Sequence, residues 1–253
     1  MSNPEAIVRD IVLVPGAWHG GWCWDLVSAE LEQRDLCVHA LTLPGLAERA
    51  AELSAEIGLQ SQIDDAIAQL ETLGLNNFVL VGHSYGGMII TAIADKLKDR
   101  IAHIIYLDAA LPINGESMVS YGEPRPEEEF VKAEHALRGL APDGIAMKPF
   151  DPSLLGIPDD HEHYEWVLKS LTPHPLKTWL DPISLENEGP EGVPATYVLC
   201  TEPLMPRTQF SWTAKRLQEK PHWSVKELAT GHDAMITDPL ATARIIIEAA
   251  LKT

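Results

Sequence analysis

Short runs of apolar residues alternate along this chain with longer stretches in which apolar positions recur at helical spacing. Apolar runs bounded by Gly, Pro and Asp suit strands buried on both faces, and the longer periodic stretches suit helices packed against them. The runs predict strands at Ile11–Val14, Cys37–Thr42, Phe78–Val81, Ile101–Leu107, Ala195–Cys200 and Ser224–Leu228. Helices are predicted at Trp24–Gln33, Gln60–Leu73, Tyr85–Lys98, Thr208–Gln218 and Pro239–Leu251. In the second of these, Ile63, Ala66, Ile67, Leu70 and Leu73 share one face while Asp64, Asp65, Gln69 and Glu71 fall on others, as in a helix lying on a sheet. The alternation predicts an α/β fold with a mostly parallel central sheet of about six strands and helices on both faces.

The pattern breaks between Pro112 and Pro190, which holds 11 of the 19 prolines. Proline removes ladder donors and stops helices, so this stretch is not a further strand–helix unit. It reads as an inserted cap spanning 112–190, with one helix near Glu127–Leu140, in a core made of 1–111 and 191–253.

Composition narrows the function classes. With 45% hydrophobic and 22% charged residues, the chain can bury a large core and has no disordered or fibrous bias. A formal charge of −18 repels phosphate backbones and anionic lipid surfaces, so neither nucleic acid nor a membrane is an expected partner. Half of that charge lies in the cap. The N-terminal MSNPEAIVRD has no basic segment followed by an apolar one, and no long apolar run follows, which predicts a cytoplasmic protein. Cys23, Cys37 and Cys200 are too few and too widely spaced for a disulfide framework or a zinc site. The oligomeric state is not read from the sequence, a homodimer being one option.

The chemistry-bearing segment is Phe78-Val79-Leu80-Val81-Gly82-His83-Ser84-Tyr85-Gly86-Gly87, a strand running through G-x-S-x-G into a helix. There the serine occupies a strained turn, and Gly82 and Gly86 clear the approach of strand and helix. A serine hydroxyl needs a base. His232 is the best placed of the ten histidines: it follows the last strand in Leu228-Ala229-Thr230-Gly231-His232-Asp233, at the same sheet edge as Ser84. His161 and His163 amid cap acids read as solvated residues, so no metal is expected. The tetrahedral oxyanion needs backbone donors, and the residues in position are Tyr85 and Ala17, the latter in the loop Val14-Pro15-Gly16-Ala17-Trp18-His19-Gly20-Gly21-Trp22. With neither G-x-G-x-x-G nor G-K-[ST] present, no nucleotide cofactor is expected.

On these residues the chain resembles the α/β-hydrolase fold, in particular the branch of plant methylesterases and hydroxynitrile lyases with their bacterial relatives. The matching segments are Gly16–Trp24, Leu41-Thr42-Leu43-Pro44-Gly45, Gly82–Gly87, Leu107–Pro112 and Gly231-His232-Asp233. Three departures stand out. Pro15 replaces the first His of the H-G-x-x-H-G loop. Gly16 and Asp233 replace the Thr and Lys with which the lyases handle the cyanohydrin and cyanide, which favours ester hydrolysis. Thr201-Glu202-Pro203 replaces the T-E-D run that supplies the usual triad acid. Two carboxylates at the same sheet edge are candidates for that acid: Asp108, which ends the strand after the elbow helix, and Glu202 as the alternative.

The resemblance implies a cofactor-free serine esterase cleaving a small, largely apolar carboxylic ester, with Ser84, His232 and Asp108 as triad. Gly16, Trp18, Trp166 and Trp179 are candidate pocket residues. Lyase or cofactor-free oxygenase chemistry on the same scaffold is the alternative, as is a ligand-binding receptor with vestigial hydrolysis.

Overall fold

The computed structural model describes residues 10–204 and 208–251; the stretch MSNPEAIVR lies outside them. In chain order the elements are β1 (Asp10–Val14), α1 (Asp25–Glu32), β2 (Cys37–Ala40), α2 (Leu59–Leu73), β3 (Phe78–His83), α3 (Gly86–Leu97), β4 (Ile101–Leu107) and α4 (Glu127–Leu140). There follow β5 (Ala146–Met147), α5 (Tyr164–Ser170), β6 (His174–Pro175), α6 (Lys177–Leu180), β7 (Ala195–Cys200), α7 (Thr208–Leu217), β8 (Trp223–Leu228), α8 (Ala234–Thr237) and α9 (Pro239–Leu251).

The six apolar runs form one sheet, ordered β2-β1-β3-β4-β7-β8 and parallel at every pairing. Every residue of β3 and β7 is buried, which requires both faces of the sheet to be covered. One layer joins α1 to α9, another α2 to α3. The edge strands β2 and β8 are partly exposed and carry the polar residues that an edge tolerates.

Element boundaries differ from the sequence reading where side chains intervene. Strand β2 ends at Ala40, although the Leu41 N–H still donates to the Leu13 carbonyl at 2.9 Å, and Thr42 Oγ1 beyond it accepts the Gly21 N–H at 2.8 Å. Strand β3 runs on through Gly82 and His83, which pair with Tyr106 and Leu107. A tight turn over Gly21–Trp24 delays α1 to Asp25.

Segment 112–190 adds no strand to the main sheet. It holds α4 at the expected residues, and also an unforeseen ribbon in which β5 and β6 pair antiparallel. One tie to the rest is Asp95 on α3, whose buried carboxylate accepts the N–H groups of Glu186, Asn187 and Gly189 at 2.7, 2.7 and 2.8 Å. No helix among the described residues is long and apolar enough to cross a membrane.

Register decides what meets at the sheet edge. Val14 pairs with Gly82, His83 with Leu107, Leu107 with Val198 and Cys200 with Leu228, so the loops after β1, β3, β4 and β8 leave side by side. Between β1 and β3 the strand order changes direction, and such switch points open a crevice at the carboxyl ends of the strands.

Candidate active site

Ser84 occupies that crevice in a left-handed conformation, φ 52°, which a serine holds only under constraint. Its N–H donates to the Leu107 carbonyl at 3.3 Å, while its own carbonyl accepts from Gly87 at 3.1 Å and Ala110 at 3.0 Å. Both ends of its peptide are thus tied to the neighbouring strand end and to α3. The flanking glycines are required: a Cβ on Gly86 would lie 2.7 Å from the Pro15 carbonyl oxygen, and one on Gly82 2.9 Å from that of Gly86.

Nε2 of His232 lies 2.9 Å from Ser84 Oγ, and Nδ1 lies 2.6 Å from Asp108 Oδ2. Asp108 is itself at positive φ, 42°, its N–H donating to the Val198 carbonyl at 2.7 Å and its second carboxylate oxygen accepting the Cys200 N–H at 3.2 Å. The Phe210 ring stacks on the imidazole at 5.6 Å between centroids. Because a carboxylate only accepts, Nδ1 carries the proton and Nε2 is left to accept the serine hydroxyl. Glu202 lies elsewhere: its side chain is exposed and its N–H joins the Thr230 carbonyl. The structure therefore brings Ser84, His232 and Asp108 together and leaves Glu202 out.

Gly16 lies directly against the elbow. A Cβ built there would come 3.0 Å from Ser84 Cβ and 2.7 Å from His83 Nδ1, so the Gly16–Ala17 backbone runs beside the nucleophilic turn. Tyr85, which follows Ser84, is fully buried and donates its hydroxyl to Gln62 Oε1 at 2.8 Å. Trp18 sits at φ 67°, a conformation disfavoured for a bulky residue. Four hydrogen bonds hold it: its N–H donates to His174 Nδ1, its indole N–H donates to the Met147 carbonyl, and its carbonyl accepts from both the N–H and the hydroxyl of Thr172. Segment 112–190 thereby clamps the loop that carries Ala17.

A cavity of about 360 Å³ opens under α4, with Met118, Leu137, Leu140, Phe150 and Trp179 among its walls. Trp179 is thus a wall, whereas Trp18 backs it, its ring 4.5 Å from Phe150 and 5.7 Å from Trp179. Trp166 is not among the walls of this cavity and packs against Trp22 and His163 at 5.2 and 5.7 Å.

Several residues escaped the sequence reading. Phe210 and Phe150 carry no motif signal. His19, His83 and Asp233 also escaped it: His83 and Asp233 present polar atoms within 4.8 Å of each other and of His232, and His19 Nε2 lies 3.2 Å from Asp233 Oδ2, all of them buried. Their sequence signals were slight: His19 stands at the second His of the H-G-x-x-H-G loop, and Asp233 stands in place of a lysine.

The chain belongs to the Alpha/beta hydrolase family, which it matches over residues 11–245. A Carbendazim hydrolyzing esterase of Nocardioides sp. (strain SG-4G) is 32% identical over 238 residues, 92% of this chain and 96% of that protein. Methylesterase 1 of Arabidopsis thaliana is 27% identical over 79% of this chain and 80% of its own length. Among solved structures, an extracellular alpha/beta-hydrolase from a Paenibacillus species shares the fold with TM-score 0.79 at 21% identity, covering 95% of this chain and 98% of that one.

Proposed function

We propose that the protein is a serine hydrolase that cleaves a small, largely apolar carboxylic ester through an acyl-enzyme. The observation that carries this reading is the line of hydrogen bonds from Ser84 Oγ through His232 to Asp108, at 2.9 and 2.6 Å. The similarity to a Carbendazim hydrolyzing esterase and to Methylesterase 1 supports the ester class.

Ser84 Oγ attacks the carbonyl carbon as its proton passes to His232 Nε2, and the N–H groups of Ala17 and Tyr85 hold the oxyanion. Collapse expels the alcohol, which takes the proton from His232. Water then attacks the acyl carbon, giving one proton to His232, and the carboxylic acid leaves as Ser84 regains its hydrogen. Asp108 orients the imidazole and balances its charge without itself taking the proton. Segment 112–190 serves as the cap, its apolar cavity receiving the non-reacting part of the substrate. The −18 charge disfavours polyanionic partners, and the three free thiols suit a cytoplasmic setting.

The lyase alternative is disfavoured at Gly16, where a threonine side chain would collide with His83 and Ser84. A fluorophosphonate probe followed by peptide mass spectrometry should label Ser84 alone. Ser84→Ala should abolish labelling and reduce ester turnover by roughly 10³-fold or more. Labelling elsewhere, or near wild-type turnover by the variant, refutes the assignment.

A further inference from the structure

Beside the triad lies a second polar cluster that this mechanism leaves idle. His19, His83 and Asp233 are 1, 1 and 0% exposed, in a region where an uncompensated charge is costly. His19 Nδ1 lies 2.8 Å from the carbonyl of Ala17, and its Nε2 lies 3.2 Å from Asp233 Oδ2. With Nδ1–H donated to Ala17, Nε2 faces the Asp233 carboxylate at ion-pair distance. Neither that nitrogen nor either carboxylate oxygen completes a hydrogen bond among the described residues, so a proton on Nε2 is what gives the buried carboxylate an opposite charge. His83 differs: its Nε2–H donates to the carbonyl of His232 at 3.0 Å, 3.6 Å from Asp233 Oδ1, while no hydrogen-bond partner meets its Nδ1 among the described residues.

The cluster thus runs from the carbonyl of one oxyanion-loop residue to the carbonyl of the catalytic base. Resting on the esterase reading, we propose that Asp233 and His19 form a buried ion pair that positions the Ala17 loop and the His232 loop relative to each other. Through its nearer, negative end the pair also favours the imidazolium that His232 becomes during turnover. Both are positioning residues, since neither touches the reacting atoms.

The charges agree with this arrangement. Burial pushes the His19 pKa down, but the nearby charge of Asp233 and the Ala17 carbonyl outweigh it and leave it raised. Burial pushes the Asp233 carboxyl up, and His19, with His83 and His232 behind it, brings it below the ordinary carboxylate range. His83 is held neutral, first by burial and then by its histidine neighbours. The groups around His232 are Asp108 from the end of β4, His83 from the end of β3, Asp233 from its own loop and Cys200 from the end of β7. Cys200, like Cys23 near Asp233, stays a thiol because burial first, and nearby carboxylates second, push its pKa up. The surroundings therefore favour the charged forms of Asp233 and His19.

Two readouts test the pair. Imidazole nitrogen NMR of the wild-type enzyme at pH 6.5 should show His19 doubly protonated, and in Asp233→Asn its proton should be lost at that pH. In kinetics, Asp233→Asn should lower kcat about tenfold and move the acidic limb of the kcat/KM–pH profile roughly 0.5–1 unit lower, since the imidazolium loses a nearby negative charge. A residue that merely packs would lower activity at every pH and leave the limb in place. A singly protonated His19 in the wild type, or an unmoved limb in a folded Asp233→Asn, overturns the proposal. If Asp233→Asn does not fold, the wild-type spectrum decides alone. Absence of fluorophosphonate labelling would instead sink the esterase reading, because the NMR result does not depend on turnover.

Discussion

At the scale of single residues, the decisive geometry is the 2.6 Å contact between Asp108 and His232. An aspartate there does two things at once: its carboxylate accepts the Nδ1 proton, and its tolerance of positive φ lets the chain turn immediately after β4. Replacing it by asparagine keeps the shape but offers an amide that permits the wrong tautomer, and such a change costs roughly 10⁴ in kcat. Asp108→Asn should therefore fall by about that factor, whereas Glu202→Gln, altering an exposed side chain, should stay within about twofold of wild type. Steady-state kinetics on one activated ester compares the two, and a severe loss confined to Glu202→Gln would transfer the acid role to that residue.

Elements matter through how they are tied down. The end of the 112–190 segment is held to α3 by the three N–H groups that converge on Asp95. Burial acts to raise the Asp95 pKa, but these donors, with the Lys98 charge, outweigh it and leave it lowered. A depressed carboxylate stabilises the fold above its unfolded pKa, near 3.9, and loses that contribution as pH falls through the folded value. Asp95→Asn should lower unfolding free energy by about 2 kcal/mol at pH 7, with the gap narrowing in acid below pH 4. Urea titrations at both pH values measure it, and equal gaps would contradict the account. Helix α4 is held differently: it buries none of its residues completely and roofs the cavity with Leu137 and Leu140. Leu137→Trp should fill that space. We expect kcat/KM for p-nitrophenyl octanoate to drop about tenfold while p-nitrophenyl acetate changes less than about twofold; equal losses on both esters would move the substrate elsewhere.

For the molecule as a whole, buried histidines set the acid response. His174 is fully buried and neutral, Nδ1 accepting the Trp18 N–H and Nε2–H donating to Thr178 Oγ1. Burial, helped by the charge of His19, holds its pKa down to about 3. The unfolded chain binds this proton near pH 6.5 and the folded protein does not. Stability is thus unaffected above that pH and falls below it, by up to about 1.4 kcal/mol per pH unit for each such histidine. His83 acts in the same direction. His19 acts in the opposite one, because its raised pKa favours the folded state at low pH and is lost as pH rises. His174→Gln should therefore take up about one proton fewer on unfolding at pH 5.5, read from the slope of unfolding free energy against pH. An unchanged slope would mean that His174 is already charged in the fold.

Much of this was legible in the chain. Strands buried on both faces must be almost wholly apolar, and helices on a sheet must be apolar on one side, so β3, β4, β7 and α2 declare themselves by composition and period. The elbow declares itself too, since only glycines fit beside Ser84 where strand and helix converge. Two-residue strands such as β5 and β6 leave no period to read, and Trp166 gives no sign of which neighbour it packs against. The choice between Asp108 and Glu202 also lay beyond the sequence. Asp108 and His232 are 124 positions apart, and they meet because β4 lies between β3 and β7 in a register that sets Asp108 beside Ser84. The same holds for His19 and Asp233. Periodicity reports which way a side chain faces relative to its own element, but a contact between loops depends on the order and register of strands distant in sequence, which only the assembled sheet decides.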